Sequence, residues 1–124
     1  MKRARTLTLL ALAACLAACG ESERVGAAAP LQGNAERGKI ALTQYACQAC
    51  HMIPGVTGSE VYVGRPLKGL AGRKFIAGNL PNNQANLVRW IRDPKAIDPL
   101  TAMPVMGVSE ADAIDISAYL LTRK

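Results

Sequence analysis

Histidine and aromatic side chains are scarce in this sequence. One histidine, His51, and five aromatic residues (one Trp, three Tyr and one Phe) occur among 124 residues. A single histidine excludes any metal centre that needs two imidazole ligands from one chain. Five aromatic rings are few for the interior of a small domain, because such rings bury much of its apolar area. A large apolar group from outside the chain would supply the missing interior.

A long hydrophobic run is also lacking near the amino terminus. The apolar segment from Thr6 to Ala18 is shorter than the roughly 20 residues that span a bilayer. It follows the basic stretch Met1 to Arg5, as in a secretory signal peptide. We therefore expect an exported protein whose residues 1–18 form the signal peptide.

The cysteine that follows this segment suggests a lipid anchor. Leu16-Ala17-Ala18-Cys19-Gly20 resembles the cleavage box of bacterial lipoproteins, which predicts lipidation of Cys19. Cys15 stands in a similar box, but cleavage there would leave a shorter apolar segment. The alternative is an ordinary signal peptide with an incidental cysteine, and the intact mass of the mature protein separates the two. Residues 19–33, rich in Ala and Gly, are predicted to form a flexible tether.

Net charge changes once the leader is removed. The formal charge of the full chain is +6, and the leader carries Lys2, Arg3 and Arg5, so the mature chain has +3. This modest balance does not indicate nucleic-acid binding. Removing 18 of 124 residues leaves 106, enough for one domain.

The remaining two cysteines stand beside the single histidine in Cys47-Gln48-Ala49-Cys50-His51. This C-x-x-C-H pattern is typical of covalent c-type haem attachment, in which both thiols join the porphyrin and the histidine binds iron. A structural zinc site would need four ligands where only three remain. A thioredoxin-like redox pair would follow a strand, whereas a helical pattern precedes these cysteines.

Iron held by His51 has a second axial position, and no other histidine can fill it. Methionine is the next common ligand in cytochromes c. Met52 adjoins His51 and cannot reach the opposite face of a haem. Met103 lies in a segment bounded by prolines and is the preferred candidate, with Met106 as an alternative if the register shifts. An iron without a sixth ligand is the remaining possibility.

The rest of the mature chain has a helical pattern interrupted by long loops. A first helix is predicted to begin after Asn34 and run toward Tyr45, with Gly38 at a close helix contact. Residues 54–72 are rich in glycine and predict a loop, with a short extended piece at residues 61–63.

Two further helices are predicted toward the carboxyl terminus. One covers about Asn83 to Arg92, with Pro94 as its stop. A loop follows from Ala96 to Val108. The last helix begins at Ser109, where Asp112 completes a capping box, and its apolar face carries Ile114, Ala118 and Leu121.

From Asn34 to Lys124 the chain resembles class I (monohaem) cytochromes c. The motifs that carry the resemblance are Gly38 with the C-x-x-C-H pattern, the stretch Gly64 to Arg73 (GRPLKGLAGR), and the segment leading from Leu87 to Met103. The resemblance implies an all-α, small cytochrome c fold, with three or more helices and long loops around one covalently attached haem, and residues 34–124 as the cytochrome c domain.

The resemblance also implies roles for single residues. It selects Met103 as the axial ligand over Met106. Arg73 matches an arginine that faces the haem propionates, and Trp90 matches an aromatic residue on the methionine side of the haem. In the family a proline usually stands at the position of Arg65, and its carbonyl accepts a hydrogen bond from the axial histidine; the carbonyl of Arg65 can still do so.

The expected function is that of a single-electron carrier without enzymatic activity. The resemblance implies a monomer that exchanges electrons with a terminal oxidase, a quinol-oxidising complex or a dehydrogenase, on the periplasmic side of a bacterial membrane to which lipidated Cys19 anchors it. The basic residues expected to frame the haem edge are Arg65, Lys68, Arg73, Lys74 and Lys95. The alternatives are a five-coordinate haem protein that binds gas or reduces peroxide, and an electron-relay subunit fixed in a larger dehydrogenase or oxidase.

Overall fold

The structure is a computed structural model that describes residues 30–123. The predicted signal peptide, Cys19 and residues 19–29 of the predicted tether lie outside the described residues. Four α-helices form the described part: α1 (Ala35–Gln44), α2 (Gln84–Arg92), α3 (Pro94–Ile97) and α4 (Glu110–Thr122). Short 3-10 helices cover Cys47–Ala49 and Leu70–Gly72, and strands β1 (Phe75–Ile76) and β2 (Leu80–Pro81) pair antiparallel. The all-α prediction is confirmed. None of the helices within residues 30–123 has the length and apolar character needed to cross a bilayer.

Two helices begin directly after asparagine residues: Asn34 is the predicted N-cap of α1, and Asn83 stands at the predicted start of α2. The side chain of Asn34 accepts a hydrogen bond from the backbone N–H of Arg37 at 3.0 Å, and Asn83 does the same for Asn86 at 2.9 Å. These bonds satisfy backbone donors that the first helical turn leaves unpaired. Both predicted helix starts are thus confirmed.

The capping box of α4 is only half formed. Ser109 Oγ accepts from the backbone N–H of Asp112 at 3.1 Å, as predicted. The Asp112 carboxylate, however, accepts from the hydroxyls of Ser109 and Tyr45 instead of from the backbone N–H of Ser109. Asp is one methylene shorter than the Glu that usually completes this motif, and Tyr45 lies within its reach.

A close crossing of α1 over α4 organises the fold. A Cβ atom on Gly38 would lie 2.0 Å from the carbonyl oxygen of Asp115, so the two backbones touch at this position. No other residue type fits here without moving one helix. The prediction that Gly38 marks close packing of a second helix is confirmed.

An ion pair reinforces the crossing. The Arg37 guanidinium binds both oxygens of the Asp115 carboxylate, at 2.6 Å from Nε and 3.0 Å from Nη2. The backbone N–H of Asn34 donates to the same carboxylate at 2.6 Å. These partners, Arg37 first, lower the pKa of Asp115 below its usual value. The carboxylate thus stays ionised although its residue is only 5% exposed.

Helix α4 differs from the single apolar stripe that its sequence predicts. Ile114 and Leu121 are only half-buried, whereas the run from Asp115 to Leu120 is buried all the way round. The reason is that α1 and α2 both pack against α4, so most of its circumference faces another helix. Of the predicted apolar face, Ala118 is buried and the half-buried Leu121 packs against the core, whereas Ile114 is not part of the core.

A short helix, α3, lies where the sequence predicted a helix stop and the start of a loop. Pro94 ends α2 and also begins α3, because proline at the first helical position lacks only a donor that would be unpaired anyway. Asp93 caps this turn by accepting from the N–H of Ala96 at 3.0 Å. The predicted loop therefore begins after Ile97. No strand forms at residues 61–63; the one strand pair in the described chain is β1 with β2.

The last residues of the predicted tether contact the helical domain. The Gln84 side chain accepts from the backbone N–H of Gln32 at 2.8 Å and donates to its carbonyl at 2.6 Å. The same amide reaches Ser117 Oγ on α4 at 3.0 Å. Gln84 therefore joins the chain ahead of α1 to two helices.

Replacing Gly38 with Ala should destabilise the fold. The added methyl group gains helix propensity but collides with the α4 backbone, and such overpacking costs about 1–3 kcal/mol. We expect a fall of that size in the free energy of unfolding by denaturant titration. Gly72→Ala is the matched control, because a Cβ there has no neighbour within 4 Å. Equal stability of the two variants would contradict the close crossing.

Candidate haem-binding site

A cavity of about 530 Å³ opens between the segment after α1, helices α2 and α4, and the loop before α4. This volume lies within the range of cofactor pockets, roughly 300–1,000 Å³. Its walls are mainly apolar, with Leu42 from α1, Leu87 from α2 and Ile116 from α4 among them. All six haem-contacting residues predicted from the sequence line this one cavity: Cys47, Cys50, His51, Arg73, Trp90 and Met103.

The attachment segment reaches the cavity through a strained residue. Ala46 has φ 53° and ψ 30°, a left-handed conformation that costs a non-glycine residue about 1 kcal/mol or more. It turns the chain sharply after α1, and a single 3-10 turn then carries Cys47 toward Cys50. The backbone N–H of His51 donates to the carbonyl of Cys47 at 3.0 Å, which closes the turn. The strain thus places both thiols and the imidazole on the cavity wall.

The imidazole of His51 is held by two neighbours from a distant part of the chain. Its Nδ1 lies 2.8 Å from the carbonyl oxygen of Arg65. Because a carbonyl only accepts, Nδ1 must carry the proton, and the lone pair then resides on Nε2. This is the bond that the family resemblance implied for Arg65. A metal ligand fixed in one tautomer by such a bond is also more basic.

Gly64 packs closely against the same imidazole ring. A Cβ at this position would lie 2.4–2.9 Å from three atoms of the His51 imidazole. Any side chain larger than hydrogen would push the ring out of place. The sequence showed Gly64 only as the start of a family stretch, and its role against His51 emerges from the fold.

Both cysteines are partly buried thiols. Cys47 and Cys50 are free, with no disulfide between them. Burial raises the pKa of Cys47 above its ordinary value, so this thiol stays protonated at neutral pH. Among residues 30–123, no group of three or more His, Cys, Asp or Glu side chains could hold a metal ion.

Two methionines reach the cavity from the loop before α4. Met103 is half-buried, and its backbone N–H donates to Thr101 Oγ1 at 3.2 Å. Met106 also lines the cavity but is 39% exposed. Met52, dismissed as a ligand from the sequence, is absent from the cavity lining. The loop therefore presents two soft sulfur donors, of which Met103 is the more enclosed.

Arg73 enters the cavity wall without an acidic partner. Its Nη2 donates to the carbonyls of Pro66 and Lys68, the latter at 3.0 Å. Ion pairs in the described chain involve Arg37, Arg92 and Arg123 but not Arg73. Burial, and then the nearby Arg65 cation, lower the pKa of Arg73. A guanidinium with donors left on Nε and Nη1 fits an anionic group such as a haem propionate.

The other basic residues predicted to frame the opening occupy different places. Arg65 lines the cavity. Lys68 and Lys74 are exposed and are not part of the cavity lining. The ammonium of Lys95 donates to the backbone carbonyls of Thr101 and, at 3.4 Å, of Pro99. Lys95 therefore binds the loop that carries Met103.

Taken together, the donors in the cavity fit a haem. His51 offers one imidazole nitrogen, Cys47 and Cys50 offer two thiols close by, Met103 offers a thioether, and Arg73 offers a cation. The apolar walls exclude water from an iron held among these groups. Sequence analysis missed Tyr45, which also lines the cavity. In the sequence, only the position of Tyr45 two residues before Cys47 indicates that it belongs to the cavity.

Comparison with known proteins agrees with this site. The family model for cytochrome c matches residues 35–124. The chain belongs to the cytochrome c family. It accordingly binds a single haem c covalently, and the small cytochrome c fold predicted from the sequence is confirmed.

Two relatives of this cytochrome c family member are informative. The solved structure of cytochrome c2 from Rhodobacter sphaeroides is 26% identical, with a TM-score of 0.56, and the match covers 74% of this chain and 97% of that chain. Cytochrome c oxidase subunit 2 of Alkalihalophilus pseudofirmus is 34% identical over 96 residues, which is 77% of this chain and 27% of that protein. The chain thus spans about a quarter of the length of this curated relative.

Proposed function

We propose that this cytochrome c carries single electrons with His51 and Met103 as the two axial ligands of its iron, and with Cys47 and Cys50 as the thioether attachment sites. The observation that carries the proposal is the convergence of these four side chains on one apolar cavity. The haem supplies a one-electron Fe(II)/Fe(III) couple. The protein supplies two fixed ligands and an environment that needs little rearrangement when charge changes.

Each residue has a definite part in this proposal. The Arg65 carbonyl and Gly64 hold the His51 ring so that Nε2 is available to iron. The Met103 sulfur favours the ferrous state, because a soft donor binds the softer ion better. Arg73 neutralises a propionate, and the ring of Trp90 contributes to the apolar wall. With both axial positions filled, no site is left for gas or peroxide.

Met103→Ala should abolish the weak near-infrared absorption of iron–sulfur ligation in the ferric protein. We expect the reduction potential to fall by more than about 59 mV, a tenfold change for a one-electron couple. Carbon monoxide should then bind the ferrous protein rapidly. Met106→Ala is the matched control and should retain the band.

The outcome of this pair of variants separates the ligand models. If the band survived in Met103→Ala and vanished in Met106→Ala, Met106 would be the ligand. If the unaltered protein lacked the band and bound carbon monoxide rapidly, the five-coordinate gas-binding or peroxidase alternative would replace electron transfer through a six-coordinate iron.

The charge distribution supports docking to acidic redox partners. Between residues 65 and 95 there are seven cations and one anion, whereas residues 96–115 hold four anions and no cation. Arg65 and Arg73 from the basic segment line the cavity itself. A basic surface beside the electron-exchange site steers an acidic partner toward it and raises the rate of encounter.

Electron transfer to an acidic partner should slow as ionic strength rises. The charge-reversal variant Lys68→Glu should reduce the second-order rate by about tenfold at low salt, within the range of electrostatic steering. Lys39→Glu on the exposed side of α1 is the control and should have a much smaller effect. Stopped-flow kinetics over a salt series measures both. A flat salt profile would contradict the docking role.

An oxidase is the partner class that the relatives support best. One relative is named as an oxidase subunit, so we propose a terminal oxidase as electron acceptor, with a quinol-oxidising complex or a periplasmic dehydrogenase as donor. The same relative favours a second candidate, an electron relay fixed in a larger complex. Purification from membranes without dissociating detergent separates a free carrier from a fixed subunit.

A lipid anchor at Cys19 on the periplasmic side of a bacterial membrane remains part of the proposal. The 13 residues from Gly20 to Gln32, the residue held by Gln84, extend to at most about 45 Å. An anchor of this reach would confine the carrier to the membrane surface and raise its effective concentration near membrane complexes.

A further inference from the structure

The carboxylate of Asp112 joins two segments that are far apart in sequence. The hydroxyl of Tyr45, at the end of α1, donates to Asp112 Oδ2 at 2.8 Å. The hydroxyl of Ser109 donates to the same oxygen at 2.7 Å. Tyr45 lies two residues before Cys47, and Ser109 lies immediately after the loop that carries Met103. One carboxylate oxygen thus binds both sides of the cavity.

Two further bonds close this cluster of Tyr45, Ser109 and Asp112. The backbone N–H of Asp112 donates back to Ser109 Oγ at 3.1 Å, and the N–H of Ser109 approaches the Tyr45 oxygen at 3.5 Å. The two hydroxyl donors, Ser109 first and then Tyr45, lower the pKa of Asp112. Hydrogen bonds to an ionised acceptor are stronger than those between neutral groups.

The loop depends on anchors at its ends. We define the methionine loop as residues 98–108. At its first end, Lys95 binds the carbonyls of Pro99 and Thr101, and the N–H of Thr101 donates to the carbonyl of Asp98 at 3.1 Å. In the described chain, residues 102–107 form no backbone–backbone hydrogen bond. The position of Met103 therefore relies on what holds the two ends.

The second end meets the cavity wall. Val108 is buried and lines the cavity beside Tyr45. Ser109 then enters the cluster with Asp112, so this end of the loop is fixed to the same tyrosine whose ring packs against the core. Rotation or withdrawal of Tyr45 would release the loop end and the attachment segment from each other.

We propose that Tyr45 is a positioning residue, whose hydrogen bond to Asp112 locks the methionine loop to the haem-attachment segment and so keeps the sixth ligand on the iron. The proposal rests on the proposed ligation by His51 and Met103. Tyr45 acts on the iron site indirectly, through the attachment segment and the methionine loop that it connects. It gives the two axial ligands, which come from opposite ends of the domain sequence, one shared attachment.

The test uses Tyr45→Phe in the full haem-loaded protein, because this change keeps the ring and removes only the hydroxyl. We expect the affinity of the ferric protein for imidazole, which competes with the methionine, to rise about tenfold, as loss of a hydrogen bond to a charged group predicts. Amide hydrogen exchange at Met103 and Asp112, whose N–H groups donate to Thr101 Oγ1 and Ser109 Oγ, should accelerate by a similar factor. Asp112→Ala should reproduce both effects, and the double variant should add little to either single change.

Tyr119→Phe is the matched control. Its hydroxyl is also buried and donates to the carbonyl of Pro54 at 2.6 Å, remote from the methionine loop in sequence. This variant should lose thermal stability while its imidazole affinity and loop exchange stay at the values of the unaltered protein. If Tyr45→Phe behaved in the same way, its role would be merely structural and the proposal would be overturned.

The hydrogen-exchange measurement also separates the proposed ligation by Met103 from the proposed role of Tyr45. If Met103→Ala showed that Met103 is not a ligand, the proposed ligation would fail. The loop should still exchange faster in Tyr45→Phe if the cluster locks it. Unchanged exchange in a protein with confirmed methionine ligation would overturn the role of Tyr45 alone.

Discussion

The contact between the backbones of α1 and α4 at Gly38 is the constraint on which the rest of the domain depends. It lets α1 lie directly on α4, and the bidentate pair of Arg37 with Asp115 holds the two helices at that point. Because the attachment segment follows α1 without a linker, the crossing also sets where Cys47 and His51 meet the cavity. A wider crossing would move the thiols away from the walls that α4 and α2 provide.

The residues of the site depend on partners from other segments of the domain or on the cofactor. His51 gains a defined tautomer only from the carbonyl of Arg65, and its ring position only because Gly64 has no side chain. Arg73 has no acidic partner in the described chain, and a haem propionate would supply one. The small number of aromatic residues has the same explanation, because the cofactor supplies interior that the side chains do not.

The sequence predicted the local features well, since their causes are local. Asn34 and Ser109 are predicted capping residues whose bonds lie within one helical turn, and the C-x-x-C-H pattern depends on five consecutive residues. The proline-bounded segment favoured Met103 as the ligand, and the family resemblance independently selected it over Met106, which also lines the cavity.

Features that depend on contacts between distant residues were missed or wrong. The burial of α4 on most of its circumference follows from two helices packing on it, and a hydrophobic period cannot show this. The bond from Tyr45 to Asp112 joins residues 67 positions apart. The short helix α3 was missed because proline was taken only as a stop, although it also suits a first helical position. The first two features come from tertiary packing that overrides or adds to local preference, whereas α3 depends on local residues, Pro94 and the capping Asp93.

The central claim is that one haem is bound covalently through two sulfurs and held between the protein's own ligands. Extraction of the mature protein with acidified acetone, followed by mass measurement of the polypeptide, tests it most directly. The account predicts that the polypeptide stays coloured and heavier by one haem, and that the double variant Cys47→Ser with Cys50→Ser releases its pigment. Pigment in the acetone phase from the unaltered protein, or a colourless product after competent maturation, would contradict the account.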